Sequence, residues 1–153
     1  KTPADYVVQK ATELGVSVLQ PVFTRHTIVT RVNEERMKAN AVEAAEQSER
    51  LTVPAIREAV ALDKLLRFWP LERAVLFCDE GGDALPIAKA AAKLEATSVA
   101  ILTGPEGGFD TAERDAIRSQ SFVVPVTLGP RILRADTAAL ASLAIWQAVR
   151  GDS

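Results

Sequence analysis

The chain has 153 residues and a formal net charge of −2. That length suits one domain with a sizeable core, and the acidic balance excludes a protein that grips nucleic acid through overall charge. Aromatic residues make up only 5% against 48% hydrophobic, so aliphatic side chains and alanine must build the core.

Taken in chain order, the pattern alternates helix and strand. Thr2-Pro3-Ala4-Asp5 reads as a helix start, with a hydroxyl cap, proline in the first turn and a carboxylate three residues past the cap. Val7, Ala11 and Leu14 follow at helical spacing, and Gly15 ends the helix. Strands are predicted over 17–22 and 27–29. Asn33 caps a long polar helix reaching about Leu51, with Glu34 and Glu35 in its first turn. A short strand over 53–56 contains Pro54, and a helix follows over 60–68. Ala74 to Cys78 is a continuous apolar strand. Asp83 is predicted to cap the next helix, with Pro86 tolerated in its first turn. Strands over 98–102 and 122–128 flank a helix opened by the capping box Asp110-Thr111-Ala112-Glu113. A last helix runs over 136–149 and is apolar nearly all round, so it is expected either inside the core or under a second subunit.

Apolar strands alternating with helices predict an α/β fold, a mostly parallel sheet flanked by helices. Cys78, the single cysteine, reads as a buried reduced thiol, and one cysteine excludes internal disulfides and multi-cysteine metal sites. No metal is expected. No signal peptide is present, nor any apolar run near ~18 residues, so a cytoplasmic protein without membrane contact is expected. Lys1 opens almost directly into a helix, which reads as a domain whose N-terminal neighbour is missing.

Ligands of open parallel sheets bind beyond the carboxyl ends of the strands, and two such ends carry unusual loops. The first is Leu102-Thr103-Gly104-Pro105-Glu106-Gly107-Gly108-Phe109. Its glycines and proline make a stiff loop poor in side chains, which a flat ligand can approach closely; a plain strand-to-helix turn is the alternative. No lysine follows the glycines and no Gly-x-Gly-x-x-Gly occurs, so neither familiar phosphate motif is present. Glu106 would repel a triphosphate, and a ligand with a cationic or neutral centre fits better. The second loop runs from Leu128 through Gly129, Pro130, Arg131, Ile132, Leu133 and Arg134 to Thr137. Two arginines three apart beside Ile132 and Leu133 read as an apolar pocket with a basic rim, against the alternative of surface arginines paired with carboxylates.

These loops, in this order, resemble the RsmE family of SPOUT methyltransferases. Gln9 to Gly15 and Glu46 to Arg50 also match, so the resemblance spans nearly the whole chain. It implies a C-terminal trefoil knot, which general topology rules would exclude. It further implies an S-adenosylmethionine-dependent enzyme that methylates N3 of a uridine in small-subunit ribosomal RNA, working as a homodimer. On that basis the cofactor is expected at Leu102 to Gly108, at Leu128, Gly129, Ile132 and Leu133, and at Ala138. The whole chain, 1–153, is read as the SPOUT methyltransferase domain, without the N-terminal PUA-like RNA-binding domain of the family. The family usually has glutamate where this chain has Asp136; the shorter carboxylate is read as a possible helix cap.

Arg131, Arg134 and Glu106 are the catalytic candidates. An arginine facing a developing uracil anion lowers the cost of removing the N3 proton, and Arg134 is preferred for its nearness to the last helix. Glu106 is a general base, a partner for the sulfonium, or simply a helix-terminus carboxylate. Gln47, Ser48 and Arg50 are candidate substrate contacts, or alternatively a structural hydrogen-bond network. His26, the single histidine, reads as solvated. Two other readings stand beside the enzyme: a non-catalytic S-adenosylmethionine-binding or dimerisation module, and an unrelated α/β nucleotide-binding enzyme such as a small hydrolase. The hydrolase is weakened by the lack of a Ser or Asp partner for His26.

Overall fold

The computed structural model describes residues 2–25, 33–79, 83–96, 98–105 and 108–151. The readings of Glu106, Gly107 and His26, and the strand expected over 27–29, fall outside them. The order of elements is α1 (Pro3–Glu13), β1 (Val18–Leu19), β2 (Val22–Phe23), α2 (Glu34–Gln47), β3 (Ala55–Ile56), β4 (Val60–Ala61), α3 (Leu62–Phe68), β5 (Ala74–Cys78), β6 (Leu85–Pro86), α4 (Ile87–Lys93), β7 (Val99–Leu102), α5 (Thr111–Arg118), β8 (Val123–Thr127) and α6 (Ala135–Arg150). All strand pairs among the described residues are parallel.

The main sheet has the order β6-β8-β5-β7, and β1-β3 and β2-β4 form two small sheets beside it. Side chains of β5 alternate between the two faces, as strand geometry requires. Val75 and Phe77 join Ile117, Phe122 and Leu62 on one face. Leu76 joins Ile87, Ala90 and Val126 on the other, against Ile145 and Trp146 of α6. A strand buried on both faces needs a continuous apolar run, which is why 74–78 lacks polar alternation. Pro125 lies within β8 opposite Phe77, and β6 pairs only beyond it, at Val126 and Thr127. No ladder bond toward β6 is therefore asked of a residue without an N–H.

The predicted capping box of α1 forms as read: Asp5 N–H donates to Thr2 Oγ1 at 3.1 Å and Thr2 N–H to Asp5 Oδ2 at 3.2 Å. Asp110 and Glu113 form the same box at α5. The long polar helix is shorter than predicted. It ends at Gln47 because Glu49 adopts φ 61°, and the amides of Glu49 and Arg50 turn back to Glu46 O and Ala45 O. This is a Schellman turn built without glycine. α1 ends the same way at Gly15, as read.

Three expectations at helix starts are corrected. Val60–Ala61 pairs with β2, so α3 begins at Leu62. Asp83 does not cap α4: residues 85–86 join the sheet as β6, Pro86 takes the cap position, and Asp83 pairs with Arg118 at 3.0 Å. Asp136 does not cap α6 either. Arg134 occupies that position with no side-chain cap, and Asp136 sits within the first turn.

The final helix is held from two sides. Gln147 Nε2 donates to Leu14 O at 2.6 Å, at the end of α1. The Arg150 guanidinium donates to the carbonyls of Ala91, Leu94 and Ala96, closing the C-terminal end of α4. Only Ala139 and Ser142 of α6 are fully buried, and Val149 is exposed.

Asp5 is also the centre of the α1–α2 contact. It accepts from Arg36 Nε at 3.0 Å, Arg36 Nη2 at 2.7 Å and Asn40 Nδ2 at 2.9 Å. The Arg36 hydrogen bonds, with those of Thr2, lower its pKa from 3.8 to about 2. A carboxyl held down in the folded state stabilises it above the unfolded value and loses that contribution as pH falls. Asp5→Asn is therefore expected to remove part of the acid sensitivity between about pH 4 and pH 2, the window set by those two values. Denaturant titrations of both proteins at stepped pH check it; identical pH profiles would refute the role.

Candidate functional site

Because β5, β7 and β8 are parallel neighbours, their carboxyl ends share one edge of the sheet. The loop after β7 and the loop after β8 leave from that edge, and Asp79 follows β5 there. A cavity of about 760 Å³ lies between them. Thr103, Gly104, Pro105 and Gly108 line it from the first loop. Leu128, Ile132, Leu133 and Arg134 line it from the second, and Ala138 from the start of α6. The two glycine-containing bends expected to meet do so. A smaller hollow of about 590 Å³ lies elsewhere, beside β4 and α3, and neither bend reaches it.

The first loop is shaped by close approach. A Cβ on Gly104 would stand 3.0 Å from the Phe109 ring. That ring is itself fixed edge-on against buried Phe77, with centroids 5.5 Å apart. The core thus sets the wall of the cavity through one aromatic pair. In the second loop Gly129 takes φ 120°, a conformation that side chains rarely adopt.

Not every predicted residue reaches the cavity. Leu102 packs with the core around Val75 and Phe77 instead. Gly129 and Arg131 are exposed and lie off the wall. Gln47, Ser48 and Arg50 also lie off it, and the chain itself uses their polar atoms. Gln47 Nε2 donates to Glu43 at 3.3 Å and Ser48 Oγ to Ala44 O at 2.7 Å. Arg50 Nη1 donates to Thr12 O at 2.7 Å and Val16 O at 3.1 Å, tying the two Schellman turns together. This is the network that was the alternative reading of those residues.

Sequence reasoning missed, besides apolar wall residues such as Phe77 and Val126, the three titratable side chains Cys78, Asp79 and Arg114. Burial pushes the Cys78 thiol up to about 11, against a smaller opposing effect of Ser142, so it is protonated at neutral pH and is no nucleophile. Burial raises Asp79, but hydrogen bonds from Arg118 and Arg114 outweigh it and hold the carboxyl below its usual range. Arg118 Nε stands 2.7 Å and Arg114 Nη2 3.0 Å from it. The available signal was positional: a charged residue directly after a fully apolar strand. Among the described residues no group of His, Cys, Asp and Glu is arranged to hold a metal ion. No helix among them is long and apolar enough to cross a membrane.

Residues 1–147 match a family model described as an RNA methyltransferase domain. The chain belongs to this RNA methyltransferase family. It is 34% identical over 138 residues to the ribosomal RNA small subunit methyltransferase E of Rickettsia conorii, covering 90% of this chain and 56% of that protein. The enzyme of the same name from Bacillus subtilis is 32% identical, covering 97% and 63% respectively. The crystal structure of the Neisseria gonorrhoeae ribosomal RNA small subunit methyltransferase E bound to S-adenosyl methionine superposes with a TM-score of 0.86 at 31% identity. It covers 96% of this chain and 62% of that one. The chain therefore spans less than two thirds of the length of each of these relatives.

Gly104→Ala is expected to cost about 1–3 kcal/mol of stability, because the added methyl must displace a packed ring. Phe109→Leu in the same background should recover part of that loss. Urea unfolding of the single and double variants checks this; an unchanged midpoint in Gly104→Ala would show that the ring yields freely.

Proposed function

We propose that this chain is the S-adenosylmethionine-binding catalytic domain of an enzyme that methylates N3 of a uridine in small-subunit ribosomal RNA. The observation that carries the reading is the convergence of the bends at 103–109 and 128–134 on one cavity at the carboxyl edge of the parallel sheet. The names of the relatives and the gonococcal structure's bound S-adenosyl methionine support it.

The residues present fit that cofactor. The volume lies within the ~300–1,000 Å³ of small-molecule sites. Leu128, Ile132, Leu133 and Ala138 offer apolar surface to a base, and Thr103, Gly104 and Pro105 line the same cavity from the first loop. When bound, S-adenosylmethionine supplies a methyl group already activated on a sulfonium. The wall formed by both bends holds the reacting centres together and keeps water out.

Uridine N3 carries a proton and is a poor nucleophile at neutral pH. Lowering its pKa by about two units corresponds to about 2.7 kcal/mol of anion stabilisation. Arg134 is the residue assigned to that task, since it lies on the wall and at the head of α6. Arg131, exposed and off the wall, is better suited to a phosphate. Glu106 remains a candidate base on sequence grounds.

The resemblance also implies a C-terminal trefoil knot, a homodimer, a cytoplasmic setting and a separate N-terminal PUA-like domain. The exposed Val149 and the half-buried Leu140 and Leu143 of α6 support a second copy packing there.

S-adenosylhomocysteine at a hundredfold excess over its dissociation constant should stabilise the protein by about 2.7 kcal/mol, read as a raised Tm. No shift at millimolar ligand would end the cofactor reading. Arg134→Ala should lower kcat for methyl transfer by about 10²–10³-fold with cofactor affinity within a few-fold of the parent. Calorimetric titration alongside a methylation assay checks both; collapse of cofactor binding instead would give this arginine a different role.

A further inference from the structure

The second hollow, of about 590 Å³, has no part in the reading above. Arg57 borders it from the stretch before β4, and Pro70 and Arg73 from the stretch before β5. Trp69 lines it as well and packs on Phe122, the residue before β8, with ring centroids 6.4 Å apart. The hollow therefore lies at the amino edge of the main sheet, whereas the cofactor cavity lies at the carboxyl edge. The five residues of β5 separate the two by roughly 17 Å at the rise of a strand.

Two features set its rim apart. Arg57, Lys64 and Arg73 stand around it with a single carboxylate, Glu58. None of these three cations makes an ion pair or a side-chain hydrogen bond among the described residues. Arg36, Arg50, Arg118 and Arg150, by contrast, each serve a carboxylate or carbonyl of the chain. A cleft lined by one sign of charge focuses its field on whatever enters. The other feature is Phe68, 70% exposed and the most exposed aromatic ring among the described residues. An exposed ring forgoes the stabilisation of burial. Its neighbour Trp69 is fixed by comparison, with Nε1 donating to Arg73 O at 2.8 Å.

We propose that this hollow holds a single-stranded segment of the RNA flanking the modified uridine, a base stacked on Phe68 and phosphates held by Arg57, Lys64 and Arg73. The inference rests on the RNA methyltransferase reading above and adds where on the domain the strand runs. Unpaired cations beside an open aromatic ring are the two elements of single-strand binding: charge follows the backbone and the ring takes a base face. A duplex keeps its base faces stacked and offers none to Phe68. In a chain of net charge −2, a local patch of this kind is what a polyanion can grip. Its distance from the cofactor cavity makes the bound nucleotides neighbours of the reacting uridine. The patch therefore sets affinity for RNA and leaves affinity for the methyl donor unchanged.

The test titrates a fluorescein-labelled oligouridylate of roughly ten nucleotides, within the span of single-strand sites, and reads anisotropy over a series of salt concentrations. The parent is compared with Phe68→Leu, Phe68→Trp and the double variant Arg57→Gln/Arg73→Gln. Phe68→Leu should weaken binding about tenfold or more, the loss of one stacked base. Phe68→Trp should stay within about twofold of the parent, because any ring face can stack. The double variant should lower the slope of log K against log salt by about 1.4, which is about 0.7 for each phosphate contact of a single strand. S-adenosylhomocysteine, titrated calorimetrically into the same proteins, should keep its affinity within about twofold, since the sites are distant. Parent-like RNA binding in Phe68→Leu and in the double variant would overturn the proposal, as would a parent that binds no oligouridylate at low salt. Polyglutamate bound as tightly, and lost in Phe68→Leu, would make the hollow a seat for an acidic polypeptide and overturn it too. So would self-association of the parent that Phe68→Leu abolishes. Failure of the parent to bind S-adenosylhomocysteine, with the RNA effects as expected, would instead refute the cofactor reading and leave the RNA surface standing.

Discussion

The pairing of β5 with β7 on one side and β8 on the other is the constraint on which the site depends. Parallel pairing puts all three carboxyl ends on one edge, so whatever follows each strand must gather there. The price is burial on both faces of β5, which its apolar run Ala74 to Cys78 meets by alternating Val75 and Phe77 with Leu76. The first polar residue after that run, Asp79, emerges where the loops converge.

The core and the site are not separate in this molecule. Phe77 is buried at 1% exposure, and its ring packs edge-on against Phe109, whose ring a Cβ at residue 104 would approach to 3.0 Å. A change of volume in the core therefore reaches the ligand wall through two aromatic rings. The charged side of the wall is coupled to the fold in a similar way. Asp79 ties β5 to Arg114 and Arg118 on α5, so the helix after the first bend is held to the strand beside it. Hydrogen bonds from Arg118 and Arg114 hold the Asp79 carboxyl below its usual range against the opposing effect of burial.

Helix ends carry much of the remaining organisation. α1 and α2 end in the same hydrogen-bonded turn, one through Gly15 and the other through Glu49. Arg50 bonds across to the end of α1. Arg150 closes α4 in a comparable manner. Arginines that look like nucleic-acid contacts in a sequence are here partly spent on carbonyls left open at helix ends. That is the physical reason the group Gln47, Ser48 and Arg50 was ambiguous before the fold was known: a guanidinium serves a carbonyl or a phosphate equally well.

Local chemistry was legible in the residues alone. The capping boxes at Thr2 and Asp110, the glycine end of α1, the apolar run of β5 and the two stiff bends each depend on neighbours within a few positions. The matching segments pointed to the family for the same reason, since they are contiguous. Tertiary structure alone decided what depends on distant partners. It drew residues 85–86 into the sheet and left Asp83 for Arg118. It took Leu102 and Arg131 off the cavity wall, and it brought Asp79 and Arg114, 35 positions apart, onto it. A hydrogen bond or a packed ring is set by proximity in space, and sequence spacing encodes that proximity only along one helix, one strand or one turn.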